Sequence, residues 1–125
     1  MSKTFDRMKL LLKAEDFAKM ILAFVLSMLI GFKWWMFFAF LLFPDLCMLG
    51  YLVNTRVGAF VYNLGHHQAV ALMVVGLGYC FDILNVEFAG LILFGHSAMD
   101  RCFGYGLKYS DDFKNTHLGR IGGIK

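Results

Sequence analysis

Apolar residues occur along the chain in four long runs separated by short polar stretches. The runs cover about residues 16–32, 34–53, 66–84 and 87–103. A membrane-spanning helix needs about 20 predominantly apolar residues, so each run is long enough, or nearly so, to cross a bilayer. Because backbone polar groups in lipid must pair within their own segment, the pattern predicts an all-α bundle of four transmembrane helices in a single membrane domain over residues 1–125.

The segments around these runs have other patterns. Residues 1–15 place apolar side chains at three- and four-residue steps between basic ones, which predicts an amphipathic basic helix on the membrane surface. Residues 54–65 are mixed and are interpreted as a loop or the start of a half-buried helix. Residues 104–125 are polar and contain several glycines, so they predict a C-terminal tail that does not span the membrane.

Composition agrees with a lipid environment. Hydrophobic residues make up 59% of the chain and the mean hydropathy is +0.64, whereas soluble domains are about 45–50% apolar. The three cysteines, Cys47, Cys80 and Cys102, have no CxxC spacing. They are therefore expected to pack as small apolar side chains and not to form a disulfide framework.

The positions of the basic residues indicate the orientation of the bundle. Four spans place both termini on one side, and of the 12 Lys and Arg residues only Lys33 falls on the other side. Cytoplasmic loops carry an excess of Lys and Arg, so the pattern predicts a multi-pass protein of the bacterial inner membrane with both termini cytoplasmic. The basic residues form no dense run among aromatics, which argues against a nucleic-acid partner. The expected partners are the lipid bilayer and a second copy in a homo-oligomer.

Ionisable residues in or near the spans are candidates for chemistry, because each costs about 2.5–3.5 kcal/mol to insert. They are Asp45, His66, His67, His96, Asp100 and, in the tail, His117. On the four-span topology all six lie towards the same leaflet. His96 and Asp100 are four residues apart and therefore share one helix face. The same spacing relates Tyr62 to His66.

Imidazole and carboxylate groups together suit a divalent metal such as zinc, manganese or iron, and an open coordination position would activate water. The predicted metal ligands are Asp45, His66, His96, Asp100 and His117. The residues predicted to support them or to bind substrate are Tyr62, Asn63, Arg101, Tyr105, Lys108 and Thr116. Arg101 and Lys108 would hold an anionic lipid or phosphoester group. No separate general base is evident, so no catalytic residue is assigned.

Structural interpretations of the same residues stay open. His96 and Asp100 would form an intrahelical pair in which Arg101 neutralises the carboxylate. Asp45 would cap a helix after the proline, and His117 would be a solvated tail residue. Tyr62, Asn63 and Tyr105 would then be interfacial or hydrogen-bonding residues, and Arg101 and Lys108 would only set the topology.

Three sequence strings resemble a known family. They are FPDLCMLGYL at 43–52, RVGAFVYNLGHH at 56–67 and HSAMDRCFGYGLKYSDDFKNTHLG at 96–119. Over nearly its whole length the chain resembles the small bacterial membrane proteins of the domain of unknown function 4260 family. The resemblance implies a four-helix membrane protein and names no activity. Its shared positions include Asp45, Tyr62, Asn63, His66, His96, Asp100, Arg101, Lys108, Thr116 and His117.

A fainter likeness is to small membrane-bound metal-dependent hydrolases, which carry a Pro-Asp pair and a Thr-His tail motif. Pro44 with Asp45, and Thr116 with His117, are similar to those motifs. The chain departs from the pattern at Asp100, where a histidine would precede the arginine, and in a longer gap to the Thr-His pair. The likeness is an analogy of fold.

Two classes of function follow. The first is metal-assisted hydrolysis at the membrane surface. The second is a non-enzymatic small membrane protein, either an oligomeric carrier or a structural subunit of a complex. A through-pore would need polar residues along the whole depth, whereas the outer half has ionisable residues only near Asp82 and Glu87. A haem site with His66 and His96 as axial ligands has no further histidine pair in support.

Overall fold

The described part of the chain is helical apart from one very short strand pair. The computed structural model describes residues 3–103, 115–116 and 119–120. The elements are α1 (Lys3–Leu29), α2 (Trp34–Phe40), a 3-10 helix (Phe43–Leu52), α3 (Thr55–His66), α4 (Gln68–Cys80) and α5 (Leu84–Cys102). Strands β1 (Asn115–Thr116) and β2 (Gly119–Arg120) pair antiparallel. The predicted all-α class is confirmed.

The N-terminal amphipathic segment and the first apolar run form one helix, α1, and not two. No glycine or proline occurs within residues 3–29, so nothing in the chain interrupts the backbone hydrogen bonds. At the C-terminal end, Phe32 N–H binds the Ser27 carbonyl and Gly31 N–H binds the Met28 carbonyl. This is a Schellman cap, and Gly31 supplies the positive φ of 108° that the cap requires.

The second apolar run is divided between α2 and the 3-10 helix. Pro44 has no backbone N–H, and its ring would clash with the carbonyl of residue 40 in a continuous α-helix. Accordingly α2 ends at Phe40, and Asp45 N–H binds the Leu42 carbonyl in a tighter 3-10 turn. In an α-helix, the backbone N–H of Asp45 would bind the carbonyl of Leu41, four residues earlier. Here it binds Leu42 instead, so Asp45 does not use the Leu41 carbonyl.

The mixed segment that follows is a complete helix, α3. Asn54 caps it, and its side-chain oxygen accepts a hydrogen bond of 2.8 Å from Val57 N–H. The 3-10 helix and α3 form a hairpin in which the Tyr51 ring lies against Gly58. Because the two helices of the hairpin run in opposite directions, Asp45 at the start of the 3-10 helix and His66 at the end of α3 lie at the same end of the hairpin.

Helix α5 lies between α1 and α4 and contains more of the described buried residues than any other element. Glycines allow both close approaches. Gly78 of α4 lies against the backbone of Glu87, and Gly95 of α5 lies against Phe37 and Ala23. Small residues at helix interfaces are typical of bundles held by backbone packing, in membranes above all.

The outer faces of the helices are strongly apolar. Large exposed side chains include Leu22, Trp34, Phe38, Met73 and Leu77. Among the described residues, the segment Trp34–Leu52 is long and apolar enough to cross a membrane, with a mean hydropathy of 1.7, and Gln68–Cys80 is a shorter apolar helix. Core helices of soluble proteins also pass this test, but they are mostly buried, whereas the Trp34–Leu52 segment is 20% buried. The protein is therefore a candidate for membrane association, and these criteria do not establish four spans.

Candidate metal centre

Four of the residues predicted as metal ligands meet at one point. Asp45 lies in the first turn of the 3-10 helix, His66 ends α3, and His96 and Asp100 lie one turn apart on α5. One donor atom from each residue lies within 4.8 Å of the other three. Three separate elements therefore contribute to a single cluster, here called the His-Asp cluster.

The distances within the His-Asp cluster resemble those around a metal ion. His96 Nε2 lies 2.9 Å from Asp45 Oδ1 and 3.2 Å from Asp100 Oδ2. His66 Nε2 lies 3.6 Å and 3.3 Å from the same two oxygens. In a tetrahedral site with bonds of about 2.0–2.1 Å, neighbouring donor atoms are about 3.4 Å apart. The four measured distances lie on either side of that value.

Backbone carbonyls orient both imidazoles. His96 Nδ1 lies 2.7 Å from the Leu41 carbonyl oxygen, and His66 Nδ1 lies 2.9 Å from the Tyr62 carbonyl oxygen. A carbonyl only accepts hydrogen bonds, so Nδ1 carries the proton in both rings. Both Nε2 atoms then point towards the carboxylates. Metal-binding histidines are held in this way, with the second ring nitrogen donating to a carbonyl or carboxylate.

The His66 Nε2 atom is buried and faces two carboxylates without a well-aligned hydrogen bond to either. It lies 3.3 Å from Asp100 Oδ2 and 3.6 Å from Asp45 Oδ1. A neutral Nε2 presents a lone pair, which a carboxylate oxygen repels. Burial of His66 and His96 strengthens this repulsion. A cation placed between these atoms removes it. The donor set therefore fits a divalent metal ion.

Tyr62 supports the cluster from α3. Its hydroxyl oxygen lies 3.4 Å from Asp100 Oδ2, and its ring stacks on the His66 imidazole with centroids 3.9 Å apart. Burial, followed by the charges of Asp100 and Asp45, raises the pKa of the Tyr62 phenol above its ordinary value. The hydroxyl therefore keeps its proton and donates to Asp100.

The cluster is more accessible on one side than on the other. The side chain of His96 is fully buried, whereas 44% of the Asp45 side chain is exposed. Ser97 closes the buried side, where its hydroxyl donates to the His66 carbonyl. Any small molecule that reaches the donor atoms therefore approaches beside Asp45.

Other predicted site residues lie elsewhere. Arg101 follows the cluster on α5 and has Asp16 of α1 as a charged neighbour. Asn63 lines a small cavity of about 220 Å³ together with His67, which is exposed. Thr116 lies in β1. The candidates Tyr105, Lys108 and His117 fall outside the described residues.

Two contributors were not among the predicted site residues. They are the Leu41 carbonyl, which orients His96, and Ser97, which binds the His66 carbonyl. Pro44 could have indicated the Leu41 carbonyl. A proline has no backbone N–H, so carbonyl oxygens in the preceding turn of the helix lose their usual partner. Nothing in the local sequence distinguishes Ser97 from an ordinary helical serine.

Comparison with known proteins gives a family. The model described as "Domain of unknown function (DUF4260)" matches residues 9–121, which include the whole His-Asp cluster. No curated protein and no solved structure matches the chain. The resemblance noted in the sequence is thus confirmed over most of its length, and the protein belongs to the domain of unknown function 4260 family.

Proposed function

We propose that the protein binds a divalent metal ion through Asp45, His66, His96 and Asp100. One observation carries the proposal: both histidines donate Nδ1–H to backbone carbonyls, so both Nε2 atoms converge with two carboxylates. Two imidazoles and two carboxylates suit zinc, manganese or iron. His117 remains a predicted fifth ligand.

The competing explanation is a cluster held together by protons alone. In that arrangement each Nε2 carries a proton and donates it to a carboxylate. His96 has such a partner in Asp45 at 2.9 Å. His66 Nε2 has only longer, poorly aligned contacts, at 3.3 Å and 3.6 Å, with the two carboxylates. The metal-bound state accounts for both histidines, and therefore we favour it.

A position within the bacterial inner membrane is part of the proposal. Four spans with cytoplasmic termini are supported by the apolar outer faces of α1, α2 and α4 and by the distribution of basic residues. The 19 residues of α5 give a length of about 28 Å, close to the hydrocarbon thickness of a bilayer. Phe32 stacks on Phe88, so the C-terminal end of α1 meets the N-terminal part of α5, far from the cluster. The cluster then lies towards the cytoplasmic side.

We further propose that the bound metal serves hydrolysis at the membrane surface. A divalent ion held by these four residues would lower the pKa of a bound water and polarise a carbonyl or phosphoryl oxygen. In such a hydrolysis water would add to carbon or phosphorus, the bond to the leaving group would break, and the leaving group would take up a proton from the water. In this chain Asp45 would face the substrate, and Tyr62 would hold Asp100 in place. Arg101 and Lys108 would bind an anionic lipid or phosphoester group.

Titration of the metal-free, detergent-purified protein with cobalt(II) tests the site. Visible absorption distinguishes an ion bound by the four side chains, with or without a water ligand, from the hydrated ion. We expect saturation at one equivalent and displacement by zinc. Asp45→Asn should abolish the spectrum, because it removes a charged ligand without changing its shape. Asp82→Asn is the matched control, since Asp82 lies in the turn before α5. Folded wild-type protein without a saturable spectrum would refute metal binding.

A further inference from the structure

A large apolar cavity is lined by residues of two elements that also carry the His-Asp cluster, although no cluster residue is among those that line it. Its volume is about 550 Å³, within the range of about 300–1,000 Å³ for small-molecule sites. It is bounded by α2, by α5, by Phe32 in the turn after α1 and by the start of the 3-10 helix. Among the described residues that line it, Asn85 is the polar one. Such a lining excludes charged or strongly polar occupants, because they would lose hydration without replacement partners.

Aromatic contacts hold the walls of this cavity in place. Phe32 stacks on Phe88 with ring centroids 4.0 Å apart, and Phe40 meets Phe88 edge-on at 6.0 Å. Phe43 extends the series through an edge contact of 4.9 Å with Phe40. Offset and edge-to-face pairs of this kind are favourable arrangements. The cavity is therefore formed by residues that fix one another, and a ligand need not open it.

Two elements lead from the cavity towards the cluster. Pro44 lines the cavity, and the next residue is the exposed cluster ligand Asp45. On α5, Ile92 lines the cavity and His96 follows one turn later, about 6 Å along the helix axis. From Asn85 to Leu93 the cavity extends about 12 Å along α5. A long apolar group in the cavity would thus place its polar end at Asp45.

We propose that the cavity binds the hydrocarbon chain of an acyl lipid, whose polar linkage then lies at Asp45 and His96. An alkyl chain matches the elongated apolar shape, and the bilayer supplies such chains at high local concentration. The placement of the polar linkage at the metal rests on the proposed function, and it names acyl lipids as the substrate class of that function. Binding of the chain itself depends on the cavity and is measured separately.

Photo-crosslinking with palmitic acid that carries a terminal diazirine tests this proposal. The full-length protein in detergent is irradiated, and modified residues are mapped by mass spectrometry. We expect labels on cavity residues such as Phe40 and Phe88. Ala89→Trp should cause loss of these labels, because Ala89 lines the cavity and the indole would fill it. Ala39→Trp is the matched control, since Ala39 is exposed on α2 and is not a lining residue.

The proposal would be overturned if the exposed face of α4, for example Met73 and Leu77, were labelled as strongly as the cavity and Ala89→Trp had no effect on the labelling. Metal content is measured on the same samples. Loss of cavity labelling in Ala89→Trp with wild-type metal content supports a separate chain site. Cavity labelling in a protein that binds no metal would uphold the chain site and refute the metal function. Metal binding without cavity labelling would uphold the metal function and refute the chain site.

Discussion

At the scale of single residues, one proline determines how the central histidine is held. Pro44 ends α2 at Phe40, and Asp45 N–H then binds Leu42 instead of Leu41. The Leu41 carbonyl is thereby available to His96, and the proline also begins the turn that carries Asp45. One local interruption thus positions Asp45 and orients His96 within the cluster.

Replacement of Tyr62 by phenylalanine tests the support of Asp100. Tyr62→Phe removes the hydroxyl at 3.4 Å from Asp100 and keeps the ring that stacks on His66. Loss of such an outer hydrogen bond typically costs 10–100-fold in metal affinity, and we expect a loss of about 10-fold. Competition with a chelating dye measures the affinity. Tyr79→Phe, at an exposed position on α4, should bind as tightly as wild type. Equal affinities for Tyr62→Phe and wild type would show that the phenol does not position Asp100.

The sequence identified the cluster residues but not their geometry. His96 and Asp100 could be paired from their four-residue spacing, because helix geometry is local. The bond from His96 to Leu41 joins residues 55 positions apart, and no local pattern predicts it. The convergence of Asp45 and His66 likewise depends on the hairpin between them. Tertiary packing, and not propensity, decides these contacts.

At the scale of helices, glycines decide how closely α4 and α5 pack. The backbone of Glu87 occupies the space that a side chain at Gly78 would need. Gly90 approaches Val75 and Ala71 in the same way. Close backbone approach maximises dispersion contacts, which drive helix association where no water is expelled. The α4–α5 pair therefore holds the N-terminal half of α5, away from the end that carries the cluster.

Two glycines on the same helix provide a test of this packing. Gly78→Ala should lower the free energy of unfolding by about 1–3 kcal/mol, because the methyl group meets backbone that cannot move aside. Gly76→Ala is the control, since a methyl group there meets nothing within 4 Å. Alanine favours helix over glycine, so the control should be neutral or more stable by about 0.5–1 kcal/mol. Thermal unfolding in detergent measures both. Equal stabilities would contradict close α4–α5 packing.

Helix boundaries were less predictable than helix identity. The change from amphipathic to apolar near residue 16 indicated two segments, but backbone hydrogen bonding continues through it and gives α1. Pro44 was visible as a break within residues 34–53, whereas the 3-10 geometry after it depends on tight turns that hydropathy does not encode. The capped helix α3 was one of two interpretations of a mixed segment, and Asn54 is the residue that favours it.

At the scale of the whole molecule, the two ends of the bundle differ in chemistry. One end carries the turns after α1 and α4, with Gly31 and Asp82 in positive-φ conformations. The other end carries the His-Asp cluster and, on α5, Arg101. On the proposed topology, the first end faces the periplasm and the second faces the cytoplasm.

Two native cysteines report this orientation. Cys80 ends α4 and is exposed, and Cys102 ends α5. In single-cysteine variants within intact spheroplasts, a membrane-impermeant maleimide should modify Cys80 and leave Cys102 unmodified. After lysis both should react, which controls for accessibility. Modification of Cys102 before lysis, or of Cys80 only after lysis, would contradict cytoplasmic termini.

The central claim, that the His-Asp cluster binds metal, is tested most directly by elemental analysis of detergent-purified protein. We predict about one zinc, manganese or iron ion per chain, as expected for a single site with four ligands. His66→Ala and His96→Ala should lose the ion. His67→Ala should retain it, because His67 is exposed and lies outside the cluster. Folded wild-type protein without metal, or equal metal in all three variants, would contradict the account.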